Sequence, residues 1–381
     1  MDFSLTQSQI ALRESIVAFA REEINPHIGD GGGKEGFPFE LWEKCGRFHL
    51  CGLPFPQKYG GQGADFLTTV LGISALGYAC SDAGLVHAIV TQLLCGLQIL
   101  LFGNDDQKNR YLPSICRGEL IAAQAITEPD SGSNALAMRT RADSRGDDYL
   151  LNGTKMFISN GPIADLVIVF AVTNPKAKFL SGISSIIVEK GTEGFQQCKP
   201  IGKMGLTSLQ NGELFFEDCA VAAANLLGRE GQGGIIFGES MEWERSLMPA
   251  AHLGTMERIL EVCLEYAQRR VVSGQPIGKY QSISNKIVDF KVSLELGKLM
   301  LFKAATLKGA GKRAPLESSI AKLFISESLK RACLEAVQIH GGHGYRTGPG
   351  IERDVRDSLA ATIYSGTSEL QRNLISRLLG L

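Results

Sequence analysis

The hydrophobic period of this chain switches twice, and that pattern constrains the fold more than any single motif does. Apolar residues recur at helical spacing up to about residue 120, alternate as in strands from about 121 to 230, and return to helical spacing up to residue 381. The spacing therefore predicts a mainly α protein with a β domain in three parts: a helical domain over 1–120, a β domain over 121–230 and a helical domain over 231–381. A length of 381 residues suits two or three units, each able to bury a core.

Local signals fill in this plan. Thr6 and Gln9 stand in capping-box spacing, Ile10, Ile16, Val17, Phe19, Ala20 and Ile24 follow on one face, and Asn25-Pro26 stops the helix. Residues 85–102 are apolar nearly all round, which predicts a helix buried in the middle of a bundle. Strands are predicted over 140–144, 148–151, 154–159, 166–172, 182–189 and 213–216, with Asn152-Gly153 as a tight hairpin turn and Asn211-Gly212 as a second hairpin signal. Turn residues at this frequency fit an antiparallel sandwich or barrel. After a glycine-rich connection over 228–234, helices are predicted over about 236–271, 282–309, 315–340 and 350–379. At about 1.5 Å per residue these are ~40 Å long and suit a four-helix bundle.

Composition removes several functional classes. The 39 basic residues nearly cancel the 40 acidic ones, leaving a net charge of −1, so no basic surface is available for nucleic acid. Nine cysteines without a Cys-x-x-Cys pair read as small core hydrophobes in a reducing compartment. The sequence begins without a basic segment followed by an apolar stretch, and the longest purely apolar run, 166–172, is far short of the ~20 residues that span a bilayer. The expectation is a soluble, cytoplasmic protein with no membrane partner.

Gly31, Gly33 and Gly36 satisfy G-x-G-x-x-G but follow a stopped helix and precede Phe37-Pro38-Phe39, so they form a loop and not a dinucleotide fingerprint. The six histidines show no i, i+4 pair, which argues against metal catalysis, and Ser131 lacks the nucleophile-elbow setting. The segment Ile126-Thr127-Glu128-Pro129-Asp130-Ser131-Gly132-Ser133 is rich in small donors after a strand. Alone it reads as a tight turn as readily as a ligand-binding loop.

Read in order with Asn152-Gly153-Thr154-Lys155-Met156-Phe157-Ile158-Ser159-Asn160-Gly161, Gln338-Ile339-His340-Gly341-Gly342-His343-Gly344-Tyr345 and Ile363-Tyr364-Ser365-Gly366-Thr367-Ser368-Glu369, that segment resembles the acyl-CoA dehydrogenase superfamily over essentially the whole chain. The resemblance implies a helical domain, a β-barrel and a four-helix bundle holding FAD, in a homotetramer whose subunits share the cofactor. It implies that Ile126, Thr127, Gly132 and Ser133 contact the flavin and pyrophosphate, that Phe157 and Ile158 pack near the ring, and that Ser159 sits at the N5 edge. Arg270, Gln281, Gln338, Gly341, Gly342, Thr367 and Glu369 are implied contacts to the adjacent subunit's FAD, with Ser273 and Glu369 departing from the common Phe and Gln.

The chemistry implied is loss of an α proton and a β hydride, the latter to flavin N5, from an acyl thioester. Many members place the base where this chain has Ser365, whose neutral hydroxyl cannot serve; a smaller group carries it in a Glu-Arg dipeptide on an earlier helix, here Glu244-Arg245. Without that resemblance, Glu244 reads as a solvated acid near a helix N-terminus. With it, Glu244 is the base, its pKa raised beside Trp243, and the Ser365 N–H binds the thioester oxygen near Tyr364. Val86 and Val90 either close the far end of the pocket or belong to the core. The arrangement resembles the prolyl-carrier-protein dehydrogenases and oxidases of natural-product pathways, as in anatoxin-a biosynthesis. Three readings stay open: a prolyl desaturase acting on an acyl or peptidyl carrier protein, a short or branched-chain acyl-CoA dehydrogenase served by an electron-transfer flavoprotein, and a non-catalytic thioester-binding homologue.

Overall fold

The computed structural model describes residues 4–28, 36–177, 179–348 and 350–381; Gly31 and Gly33 of the glycine-rich loop lie outside the described residues. The first domain holds α1 (Gln7–Phe19), α2 (Phe39–Arg47), α3 (Phe66–Ala79), α4 (Ala83–Phe102) and α5 (Asp105–Cys116). The Thr6 capping box forms as expected, and α1 passes through a π turn before it ends near Pro26. Helix α4 is long and apolar enough to cross a membrane, yet nearly all of it is buried within the fold. It packs on α5, on the first strand and on the bundle's longest helix, which is why apolar side chains are tolerated around its whole circumference.

The second domain is one sheet of β1 (Ala122–Ala125), β2 (Arg141–Arg145), β3 (Asp148–Ser159), β4 (Leu166–Val172), β5 (Ile183–Glu189), β6 (Phe195–Gln197), β7 (Asn211–Ala222) and β8 (Leu226–Leu227), in the order β6-β7-β3-β2-β4-β5-β8. Its long pairings are antiparallel, as expected, but β1 joins β4 in parallel. Two hairpin expectations fail. Asn152-Gly153 lies inside the single strand β3 as a bulge, because Gly153 has φ 151° and a side chain there would strike Thr140 at 2.5 Å. Asn211-Gly212 begins β7 and pairs with Ser159 and Ile158. Such dipeptides favour positive φ, which a bulge uses as readily as a turn.

The third domain holds α6 (Gly233–Arg269), the hairpin β9 (Val271–Val272) and β10 (Gln275–Pro276), α7 (Gln281–Gly309), α8 (Pro315–His340), the short α9 (Gly342–Tyr345), α10 (Ile351–Ala361) and α11 (Ser368–Leu378). The fourth expected long helix is broken in two over 362–367, and that break carries Ser365. Helices α3 and α6 touch backbone to backbone: a side chain on Gly77 would lie 2.2 Å from the Ala251 carbonyl oxygen. This contact joins the first and third domains around α4. Eight of the nine cysteines are buried and all are free thiols.

Candidate active site

The break between α10 and α11 is a turn held in a strained shape. Ser365 has φ 59° and Gly366 φ 90°, and a non-glycine residue in the left-handed region costs about 1–3 kcal/mol unless its surroundings hold it. Three helices do so. Arg245 on α6 donates its Nε–H to the Ser365 carbonyl at 3.1 Å, Lys322 on α8 donates to the Gly366 carbonyl at 2.7 Å, and Gln371 on α11 donates to both carbonyls at 3.0 and 3.1 Å. Burial pushes the Lys322 ammonium down to about 8, and it lowers the Arg245 guanidinium from its ordinary value. Among the described residues the Ser365 N–H has no acceptor, so it can receive an oxygen from outside the chain.

Glu244 stands on α6 opposite this turn, and the Ser365 hydroxyl donates to its Oε1 at 2.6 Å. Burial raises the Glu244 pKa; the Ser365 hydrogen bond and the charges of Arg245 and Lys322 pull it back without cancelling the rise. The carboxyl is thus a better proton acceptor than an exposed one. Trp243 is not the cause: consecutive helical residues do not share a face, and its indole stacks edge-on to Phe66 of α3 at 4.3 Å beneath the Lys308 ammonium.

Beside the turn, a cavity partly open to solvent is lined by Val86, His87, Met248, His252, Arg258, Asp357 and Tyr364 among others. Val86 is therefore a pocket residue, whereas Val90 is wholly buried and absent from that lining, a core residue. His252 Nε2 lies 2.6 Å from the Tyr364 hydroxyl, and the His87 ring stands edge-on to Tyr364 at 4.8 Å. Burial lowers the imidazole pKa to about 4 at His87 and about 3 at His252, so both are neutral. Burial also pushes Asp357 up to about 6, although its carboxylate accepts the Leu206 N–H at 2.6 Å.

The wall facing this cleft comes from the β domain. His87 Nε2 lies 3.4 Å from Ser159 Oγ, which accepts from Asn211 Nδ2 at 3.0 Å. Phe157 sits on the bulge before it with φ 59° and is 57% exposed, so much of its flat aromatic surface is open. Ile126 and Ile158 are buried, so only their backbones can face a ligand. The loop over 126–133 is pinned from beneath by a buried ion pair: Lys155 Nζ donates to Glu128 at 2.9 Å and to the Ile126 carbonyl at 3.0 Å, while Glu128 accepts the N–H groups of Arg139 and Thr140. Thr127 accepts the Met156 N–H at 2.8 Å, and Gly132 and Ser133 face solvent.

A second, open groove of about 1000 Å³ lies at the far end of the bundle, lined by Arg270, Tyr280, Gln338, Gly341, Gly342 and neighbours. Gln281 begins α7 at its edge. Gly341 has φ 57°, and a side chain on Gly341 or Gly342 would meet nothing within 4 Å, so backbone lies open to a ligand. Thr367 and Glu369 are not in this groove: Thr367 caps α11 through the Leu370 N–H, and both stand beside Ser365. One chain thus carries a platform with a bare aromatic ring and, apart from it, a groove with an arginine and open glycines. These donors suit the two ends of a flavin dinucleotide, a flat ring and a pyrophosphate with its nucleoside.

His87, His252, Lys155, Lys322, Asp357 and Gln371 carry much of this geometry and no motif marked their roles. Their one signal is a polar residue among apolar helix or strand neighbours, as at Lys322 between Ala321 and Ile325.

Comparison with known proteins matches the whole pattern. The chain matches the acyl-CoA dehydrogenase N-terminal domain over residues 6–119, the middle domain over 123–219 and the C-terminal domain over 231–380. It is 41% identical over 387 residues to an L-prolyl-[peptidyl-carrier protein] dehydrogenase of Pseudomonas fluorescens, covering 100% of both chains. Among solved structures it superposes on the prolyl acyl carrier protein oxidase AnaB with a TM-score of 0.96 at 44% identity, covering 99% of this chain and 100% of that one. It superposes on PigA with FAD and proline at a TM-score of 0.95 and 36% identity, covering 100% of both.

Proposed function

The chain belongs to the acyl-CoA dehydrogenase family, FAD-dependent oxidoreductases acting on CH–CH bonds, and we propose that it oxidises a prolyl group held as a thioester on a peptidyl or acyl carrier protein. The observation that carries the reading is the Glu244–Ser365 pair: a carboxyl with a raised pKa, held at 2.6 Å by a hydroxyl on the turn whose N–H has no acceptor among the described residues. The names of the full-length relatives support the prolyl carrier substrate.

In this reading the Ser365 N–H binds the thioester oxygen and steadies the charge that develops there as the α proton leaves. Glu244 takes that proton on Oε1 or Oε2, and the electron pair of the broken C–H bond becomes the new double bond. FAD, when bound, supplies the acceptor for the hydride lost from the β carbon. Ser159 and Phe157 hold the ring edge and face, Thr127, Gly132 and Ser133 line its phosphate side, and Arg270, Gln338, Gly341 and Gly342 serve the FAD of a neighbouring subunit. An assembly of subunits is supported by the exposed Val288, Val292, Leu296 and Leu299 on α7, an apolar stripe that a second copy can cover.

The test is an anaerobic flavin spectrum of the holoenzyme mixed separately with prolyl-loaded carrier protein, isovaleryl-CoA and butyryl-CoA. Bleaching by the carrier-bound ester is expected. Bleaching by a CoA ester alone overturns the substrate assignment, and bleaching by none overturns the reaction. In Glu244→Gln the flavin stays bound and reduction by the wild-type substrate is abolished; an unchanged rate rejects Glu244 as the base.

A further inference from the structure

The cavity beside Glu244 has a lining that a hydrocarbon acyl group cannot satisfy. His87 and His252 are 8% and 7% exposed, and in each the ring nitrogen Nδ1 is buried without a hydrogen-bond partner among the described residues. A buried polar atom left unpaired costs about 1–3 kcal/mol, so two at one cavity call for a polar group to meet them. The other ring nitrogens fix the place. His87 Nε2 lies 3.4 Å from Ser159 Oγ, and His252 Nε2 lies 2.6 Å from the hydroxyl of Tyr364, the residue before Ser365. The unsatisfied wall therefore adjoins the turn that faces Glu244.

Counting protons says what that group must offer. A neutral imidazole has one N–H and one bare nitrogen. If the Tyr364 hydroxyl donates to His252 Nε2, the phenol oxygen keeps free lone pairs; if His252 donates instead, its Nδ1 is the bare acceptor. Either way the His252–Tyr364 pair retains one unused acceptor and one unused donor, the second being the Nδ1–H or the phenol O–H. Across the cavity Asp357 adds a carboxylate that accepts the Leu206 N–H at 2.6 Å, and Arg258, held by Asp354 through both terminal nitrogens, has an Nε–H without a partner among the described residues. The lining thus holds unpaired acceptors and donors together, and a secondary amine, which can both accept and donate, is the kind of group that meets them.

We propose that His252 and Tyr364, with His87 and Asp357 on the neighbouring walls, form the recognition site for the nitrogen of the acyl group, and that this site selects aminoacyl over hydrocarbon thioesters. The inference rests on the aminoacyl reading above and assigns the residues that enforce it. A pocket built to hydrogen-bond an N–H rejects the analogue without one far more strongly than shape alone can, because its own polar atoms are then left unpaired.

Three thioesters on one carrier protein separate the contributions: L-prolyl, cyclopentanecarbonyl with CH₂ in place of NH, and tetrahydrofuran-2-carbonyl with an oxygen that accepts but cannot donate. Anaerobic stopped-flow reduction of the holoenzyme gives kcat/KM for each. The wild type is expected to prefer the prolyl ester over both analogues by at least about 10²-fold. His252→Leu and Tyr364→Phe each shrink that preference at least about tenfold, and His252→Gln, which keeps a donor and an acceptor, restores part of it. Should His252→Leu fail to hold FAD, Tyr364→Phe carries the test, since it deletes one oxygen. A preference that stays at the wild-type level in the folded variants overturns the proposal, as does a wild type that reduces all three alike. A wild type bleached by butyryl-CoA and by no carrier-bound ester removes the aminoacyl reading itself, and this proposal with it.

Discussion

Ser365→Ala isolates one hydrogen bond at the centre of the site. In the wild type the Ser365 hydroxyl donates to Glu244 at 2.6 Å and favours the carboxylate against the burial that disfavours it. A hydrogen bond to a charged group contributes about 1.5–3 kcal/mol, so its loss disfavours the ionised carboxyl by that order and raises the Glu244 pKa further. The sign follows from the role of the group. Glu244 must be ionised to accept the proton, so raising its pKa moves the acid limb of flavin reduction to higher pH, slowing the reaction below the limb. Above the limb, the stronger base leaves the plateau equal to or higher than that of the wild type. The assay is single-turnover reduction by prolyl-loaded carrier protein from pH 5 to 10. Two other groups titrate in this range and neither bonds to the Ser365 hydroxyl: Asp357, pushed up to about 6, accepts the Leu206 N–H, and Lys322, pushed down to about 8, is held by the Gly366 carbonyl. Limbs near 6 and 8 that stay in place while the acid limb moves distinguish Glu244 from both groups. An acid limb that does not move, or moves down, refutes the assignment of Glu244 as the titrating base and of Ser365 as its partner.

Two further outcomes test the platform and the groove. Lys155→Met leaves Glu128 buried without its one charged partner, with the Arg139 and Thr140 N–H groups remaining; breaking a buried pair from one side costs about 3–5 kcal/mol, so denaturant unfolding should shift by that order and FAD retention should fall, and a variant as stable as wild type would falsify the pinning role. Arg270→Ala removes an exposed guanidinium from the groove and should weaken FAD binding about 10- to 100-fold, measured by flavin fluorescence on dilution; unaltered affinity places the pyrophosphate elsewhere.

The elements that could be read from the sequence are those fixed by local chemistry. The Thr6–Gln9 box caps α1, the apolar run becomes the buried α4, and the alternating segments become strands. What misled were dipeptides whose backbone preference two structures share. Gly153 takes its positive φ inside a bulge against Thr140, and the segment over 350–379 keeps helical spacing although Ser365 and Gly366 break it. The break is decided by donors from Arg245, Lys322 and Gln371, and the first two of these lie far away in sequence. The same distance hid the site. Glu244 and Ser365 are separated by 121 positions, and no local pattern can report that their side chains meet. His87 and His252 looked unremarkable because a histidine's role depends on what faces it, here one tyrosine brought between them by the turn.

The geometry also bears on why the proposed base and the hydroxyl occupy these two positions together. The Ser365 oxygen and the Glu244 oxygen are 2.6 Å apart, so a carboxylate at both positions would set two negative charges against each other in a poorly solvated cleft. One of the two would stay protonated and the pair would titrate as a unit, with neither free to act as a simple base near neutral pH. A hydrocarbon side chain at 365 would avoid the repulsion but give up the donor that keeps Glu244 ionised. Serine meets both demands, because it is small, neutral and able to donate. The surrounding charges fit this assignment: Arg245 and Lys322 grip the backbone carbonyls of the turn and leave the Glu244 oxygens to the hydroxyl, so their charges favour the carboxylate without a direct ion pair that would quench its basicity. With the proposed base on α6, the turn residue has to be neutral and able to donate, and the clamp on Ser365 and Gly366 holds the pair in register.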